Sequence, residues 1–157
     1  MMRIGTGYDV HAFCEGDHLI LGGIKILFNK SFAAHSDGDV LIHAIVDALL
    51  GALALGDIGQ HFPPNDDKWK NCDSSVFLKH AIELIKEKGY QVNNIDSTII
   101  CEQPKMQPHI LAIRENLARI MNLNLDQVSV KATTTEKLGF CGRGEGIAVE
   151  SVCLLGN

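Results

Sequence analysis

Asp9 and His11 stand two residues apart in an apolar stretch. Successive side chains of a strand point to opposite faces, so in an extended segment these two project to the same side and can share one ion. A D-x-H triplet is common, and an exposed Asp beside a solvated His is its ordinary reading. A second set adds to it. Asp39, His43 and Asp47 recur every four residues in an otherwise apolar segment, which places them on one stripe of a helix. Burying such a stripe is costly unless its members find partners. It is therefore either a solvent-facing edge, or His43 completes an Asp/His/His metal site with Asp39 or Asp47 accepting from its other ring nitrogen. Three protein ligands with an open fourth position is how a catalytic zinc site is built.

Three further segments carry residue types suited to phosphate chemistry. Ala34-His35-Ser36-Asp37-Gly38-Asp39 precedes the helix and offers backbone N–H groups, Ser36 and His35 to an anion, or is simply a capped start. Thr133, Thr134 and Thr135 are followed by Glu136 and Lys137. Hydroxyls donate to phosphate oxygens and a carboxylate holds a hard cation such as Mg²⁺, although a threonine run is also plain β-propensity. Gly142-Arg143-Gly144-Glu145-Gly146 reads as an anion nest or a glycine-rich turn, without the spacing of a nucleotide-binding glycine motif. Gln103-Pro104-Lys105-Met106 offers backbone groups to a base edge and one cation, or is an ordinary connection.

Elements must position these residues. Met2 to Val10 reads as a first strand, and Leu19 to Leu27 as a hairpin turning at Gly22-Gly23. Ser36 is expected to cap a helix running from Asp37 to about Leu53. A turn-rich loop follows from Gly56 to Asp73, then a second helix from Ser74 to Gly89, and a third from Pro108 to Asn122. Strands are expected at Asn94 to Cys101, Val128 to Thr133 and Ile147 to Leu155. This alternation predicts an α/β (α+β-like) single domain over residues 1–157, with a mixed four-stranded sheet, a small hairpin and helices on one face.

The 157 residues suffice for one continuous core. With 46% apolar and 21% charged residues the chain reads as globular, and a net charge of −5 without any Lys/Arg block argues against nucleic acid. The apolar run from Ile42 to Leu55 is too short to span a bilayer, no signal peptide is read at the start, and a cytoplasmic location is expected. Five cysteines at scattered spacings read as reduced thiols.

Taken jointly, Gly7-Tyr8-Asp9-Val10-His11, Ala34 through Asp39, Lys131 through Gly139 and Gly142 through Gly146 resemble the 2-C-methyl-D-erythritol 2,4-cyclodiphosphate synthase family, in order and over essentially the whole chain. The resemblance implies zinc on Asp9, His11 and His43, and a second divalent ion, Mg²⁺ or Mn²⁺, on Glu136. It places His35 and Ser36 at the methylerythritol phosphate, with His35 and Thr134 assisting the transition state. Asp57 and Gly59 would hold the ribose, with Ile58, Phe62 and Asp66 also in substrate contact. Cys101, Pro104, Lys105, Met106 and Gln107 would frame cytosine through the backbone. Thr133, Thr134 and Thr135 would meet the diphosphate, with Phe140 and Arg143 nearby.

Cys101-Glu102 is a mild departure, at positions where relatives often carry smaller or neutral residues. The implied assembly is a homotrimer with active sites between subunits and an apolar tunnel on its axis. The implied partner is a cytidyl diphosphate substrate, without nucleic acid or membrane. A length of 157 fits the stand-alone cyclase rather than a fusion. A metal-dependent phosphoesterase and a trimeric binding protein with a structural metal are the competing readings, separated by product identity and by CMP release.

Overall fold

The computed structural model describes residues 1–157. Its first strand, β1 (Arg3–Cys14), carries small or polar residues on one face and larger apolar ones on the other. The hairpin β2 (His18–Leu21) and β3 (Ile24–Leu27) turns through Gly22-Gly23, and β4 (Ser31–Phe32) pairs with the end of β1. Next come α1 (Val40–Ala52), α2 (Ile58–His61) and α3 (Ser75–Glu87). The chain continues through β5 (Gln91–Ile100), α4 (Ile110–Met121), β6 (Val128–Thr133), α5 (Gly139–Gly142) and β7 (Gly146–Gly156).

The main sheet has the order β4-β1-β7-β5-β6, antiparallel except for the parallel pair β5 and β6. The four expected strands make up β1-β7-β5-β6, with β6 at one edge, and the two-residue β4 adds a fifth at the other. The first strand runs four residues past the expected Val10, because β7 continues to pair with it as far as Ala12 opposite Gly146. Asp9 and His11 therefore sit within a paired strand, not at its frayed end.

The helices cover one face of the sheet, and α1 is the middle of the core. Ten of its residues are buried, among them Leu41, Ile45 and Leu49 with no exposed surface. Each such side chain stabilises the fold by about 1.5–3 kcal/mol. The helix lies directly on β1 because Gly5 and Gly7 have no side chain: a Cβ on Gly7 would stand 1.9 Å from Ala44 O, and one on Gly5 2.0 Å from Ala48 O. Its start differs from expectation. Gly38 has φ +69°, which breaks the helical path after Ser36, and Asp39 is the residue whose carboxylate caps Ile42 N–H. The Ser36 hydroxyl instead accepts from Gly38 N–H.

The opposite face of the sheet has no layer over it. Ile4 is 69% exposed and Tyr8 58%, with Val10 beside them and Val152 and Leu154 on the neighbouring β7. No helix is long and apolar enough to cross a membrane.

Candidate active site

Strand geometry brings Asp9 and His11 to the helix-covered face, and the close approach of α1 brings His43 to meet them. His11 Nδ1 lies 3.2 Å and His43 Nδ1 3.3 Å from the same oxygen, Asp9 Oδ2. Their ligand atoms all fall within 4.8 Å of one another, the spacing of a candidate divalent-metal site. Asp9 Oδ2 and His11 Nδ1 are buried, yet neither makes a hydrogen bond of acceptable geometry. Buried polar atoms are nearly always satisfied, so two converging unsatisfied ones fit a shared cation. Burial of Asp9 opposes its charge, but the imidazoles of His11 and His43 outweigh that and hold its carboxyl well below the usual carboxylate range.

The stripe on α1 follows the second expectation in bringing His43 to Asp9 and His11, and departs from it in the partner of the other ring nitrogen. Asp39 is fully buried: Oδ1 accepts from Gly22 N–H at 3.0 Å and Oδ2 from Gly23 N–H at 2.7 Å, besides the helix cap. Burial nevertheless pushes its pKa up to about 6. Asp47 accepts from Ile58 N–H at 2.8 Å and so fixes α2. Neither carboxylate receives His43. Its Nε2 lies 2.9 Å from the hydroxyl of Ser74, a fully buried residue at the start of α3. Ser74 Oγ–H donates to Asp37 Oδ1, and Ser74 N–H donates to Asp37 Oδ2 at 2.9 Å. The sequence reading missed Ser74 because it lies 31 residues from His43 and served there only as a helix start.

The candidate metal site opens on a cavity of about 550 Å³. His35, Ser36, Ile58, Gly59 and Phe62 line it with His11 and His43, so these expected contacts are brought together. Its far wall is aromatic, with Phe62 and Phe77 4.4 Å apart between ring centroids and Trp69 against both. Trp69 and Lys70 line the cavity without having been singled out from sequence. Asp57 and Asp66 are placed otherwise. Asp57 caps α2 through Gln60 N–H at 2.9 Å, and Asp66 caps the turn at Asp67–Trp69. Neither lines the cavity.

The remaining expected residues gather at a second place, where β5 and β6 end. Cys101 and Met106 are buried, so their side chains belong to the core and only backbone is left to face a ligand. Pro104, Lys105 and Gln107 lie on the same turn. Thr133 to Glu136 continue β6, with Glu136 exposed and in the left-handed region at φ +53°, followed by Lys137 at +66°. Glu102 holds this turn: its Oε1 accepts from Thr135 N–H at 3.2 Å and Lys137 N–H at 3.0 Å. Sequence reading noted Glu102 only as a departure, whereas the fold uses it to tie two loops together. Phe140 lies on α5, and Arg143 pairs with Glu145 at 3.0 Å. Between β1 and β6 lie β7 and β5, so three strand spacings, about 14 Å, separate the two places within one chain.

A family model described as the YgbB family matches residues 2–156. The chain belongs to that family. It is 58% identical over 154 residues to the 2-C-methyl-D-erythritol 2,4-cyclodiphosphate synthase of Xanthomonas oryzae pv. oryzae, covering 98% of this chain and 94% of the relative. Among solved structures, the bifunctional IspDF from Campylobacter jejuni superposes with a TM-score of 0.95 at 44% identity. It matches 99% of this chain, which spans only 42% of that longer protein. IspF from Plasmodium falciparum, in a complex with CDP, superposes with a TM-score of 0.87 at 40% identity, covering 98% and 95% of the two chains. This YgbB-family chain thus shares its fold and nearly its whole length with proteins named 2-C-methyl-D-erythritol 2,4-cyclodiphosphate synthase.

Proposed function

We propose that the chain converts 4-diphosphocytidyl-2-C-methyl-D-erythritol 2-phosphate into 2-C-methyl-D-erythritol 2,4-cyclodiphosphate and CMP. The observation that carries this reading is identity at the 58% level to a named synthase across 98% of the chain. An oxygen of the 2-phosphate attacks the β-phosphorus, a P–O bond forms, the bond to the α-phosphate bridging oxygen breaks, and its electron pair leaves with CMP. A phosphate is already an anionic nucleophile, so the residues are needed for alignment and charge neutralisation rather than for proton removal.

In this reading Asp9, His11 and His43 would hold zinc, and Glu136 would hold Mg²⁺ or Mn²⁺. When bound, the two cations supply electrostatic stabilisation at the phosphoryl oxygens. The donor set of two imidazoles and one carboxylate suits zinc. His35 and Ser36 orient the methylerythritol phosphate from the cavity wall, and the hydroxyls of Thr133, Thr134 and Thr135 donate to the diphosphate. The turn from Cys101 to Gln107 frames cytosine, and Ile58, Gly59 and Phe62 border the sugar, with Asp57 and Asp66 next in the chain to residues of the cavity wall and Phe140 and Arg143 close to the diphosphate. His35 and Thr134 also assist the transition state.

A homotrimer belongs to the same reading. The bare sheet face with Ile4, Tyr8 and Val10 supports it as the buried contact. The separation of about 14 Å between β1 and β6 supports a site completed by the later strands of a neighbour. A cytoplasmic location fits five unpaired thiols. Phosphorus NMR of the product made from the cytidyl substrate tests the proposal. A cyclic diphosphate and CMP are expected, whereas a linear monophosphate would replace the cyclase by a phosphoesterase.

A further inference from the structure

We propose that Ser74 and Asp37 form a positioning relay that fixes the His43 ring for metal binding and slows release of the metal. The inference rests on the reading of Asp9, His11 and His43 as metal ligands. A ligating imidazole gives the lone pair of one nitrogen and keeps its proton on the other. His43 turns Nδ1 toward Asp9 Oδ2 at 3.3 Å, so in the metal-bound form its proton is on Nε2, 2.9 Å from Ser74 Oγ.

The direction of that hydrogen bond is set two residues away. An ionised carboxylate only accepts, and a hydroxyl has a single proton. Ser74 spends it on Asp37 Oδ1, with Asp37 Oδ2 further engaged by Ser74 N–H at 2.9 Å. Ser74 Oγ is therefore left as an acceptor facing His43. A ring with its proton on Nδ1 would present a bare Nε2 to an oxygen that has no hydrogen to give. The relay thus selects the tautomer that exposes a lone pair to the metal. It also holds the ring in the orientation that turns Nδ1 toward Asp9, as carboxylates do when they touch a ligating histidine directly.

Position makes the relay more than a local bond. Asp37 lies in the turn that presents His35 and Ser36 to the cavity, and its Oδ1 also receives Asp39 N–H at 3.1 Å. Ser74 opens α3 without a side-chain cap bond of its own, so its hydroxyl is free for His43 and Asp37. The substitution Ser74→Ala consequently keeps the N–H bond to Asp37 and the start of α3, and removes the link to His43.

The test uses the full chain loaded with Zn²⁺ and, separately, with Co²⁺. Zinc release is followed with a chromophoric chelator, and the visible absorption of the cobalt form is recorded. Ser74→Ala should release zinc about 10–100-fold faster than the wild type and shift the cobalt absorption. Its melting temperature in excess chelator should stay close to that of the wild-type apoprotein. Asp37→Asn, which retains one acceptor oxygen and no charge, should fall between the two, and Ser74→Thr should restore slow release. Equal release rates and an unchanged cobalt spectrum in Ser74→Ala and Asp37→Asn would overturn the relay while leaving the metal site intact. A wild-type chain that binds neither ion would instead remove the metal reading on which the relay stands.

Discussion

Asp39, His43 and Asp47 share one stripe of α1 and do three unlike things. Asp39 receives three backbone N–H groups and pins the Gly22-Gly23 turn to the helix start. An amide in its place would aim an NH₂ at one of those N–H groups. Asp39→Asn should therefore lower stability by about 2–3 kcal/mol, read as a drop in the urea midpoint at constant slope. Glu136 is the opposite kind of residue, exposed and tied to nothing through its carboxylate. Glu136→Gln should abolish the Mg²⁺ dependence and most of kcat while zinc content, measured by mass spectrometry, stays normal; loss of zinc there would show that the two cation sites had been confused. The stripe was legible in the sequence, whereas the convergence of Asp9, His11 and His43 stood there as one of two readings that only the family resemblance favoured. The employment of each residue was not legible, because the partners arrive from Gly22, Ile58 and Ser74, and no periodicity reports where distant backbone will lie.

Elements were more readable than their junctions. The apolar runs of α1 and β7 are local properties and show directly in the sequence. The start of α1 is set by a positive φ at Gly38 that competes with Ser36, and β4 is two residues long, too short to leave a pattern. The contact between β1 and α1 was equally silent, since a glycine in a strand does not say what approaches it. Gly7→Ala tests that contact. Its methyl would meet the backbone of Ala44 with no flexible side chain to yield, so the loss should reach or exceed the ~1–3 kcal/mol usual for overpacking. Because β1 carries Asp9 and His11 and α1 carries His43, metal affinity should fall with it; urea unfolding measures the first effect and equilibrium dialysis the second. A variant of normal zinc affinity would show that α1 moves without disturbing the ligands.

At the scale of the assembly, the two groups of expected site residues demand a test that a single chain does not offer. His43→Ala and Thr134→Ala chains should each be nearly inactive. In the proposed trimer, co-expression would give mixed assemblies in which one junction has both contributing halves intact, so part of the activity should return. Mixed trimers no more active than their parents would mean that each chain builds its own site. Within the subunit, α1 has a consequence for time rather than for shape. The helix bearing His43 is buried along most of its length, with only His43, Asp47 and Gly51 on its less covered side, so its amides should exchange hydrogen chiefly through opening of the whole subunit. The cavity wall from Pro63 to Cys72 bonds mostly to itself, and its backbone is tied outward by Asn71 N–H to His35 O. Hydrogen exchange followed by mass spectrometry should find that wall exchanging orders of magnitude faster than α1, and equal protection would contradict it. Breathing at the wall can then admit and release ligands many times over within the residence time of one metal ion.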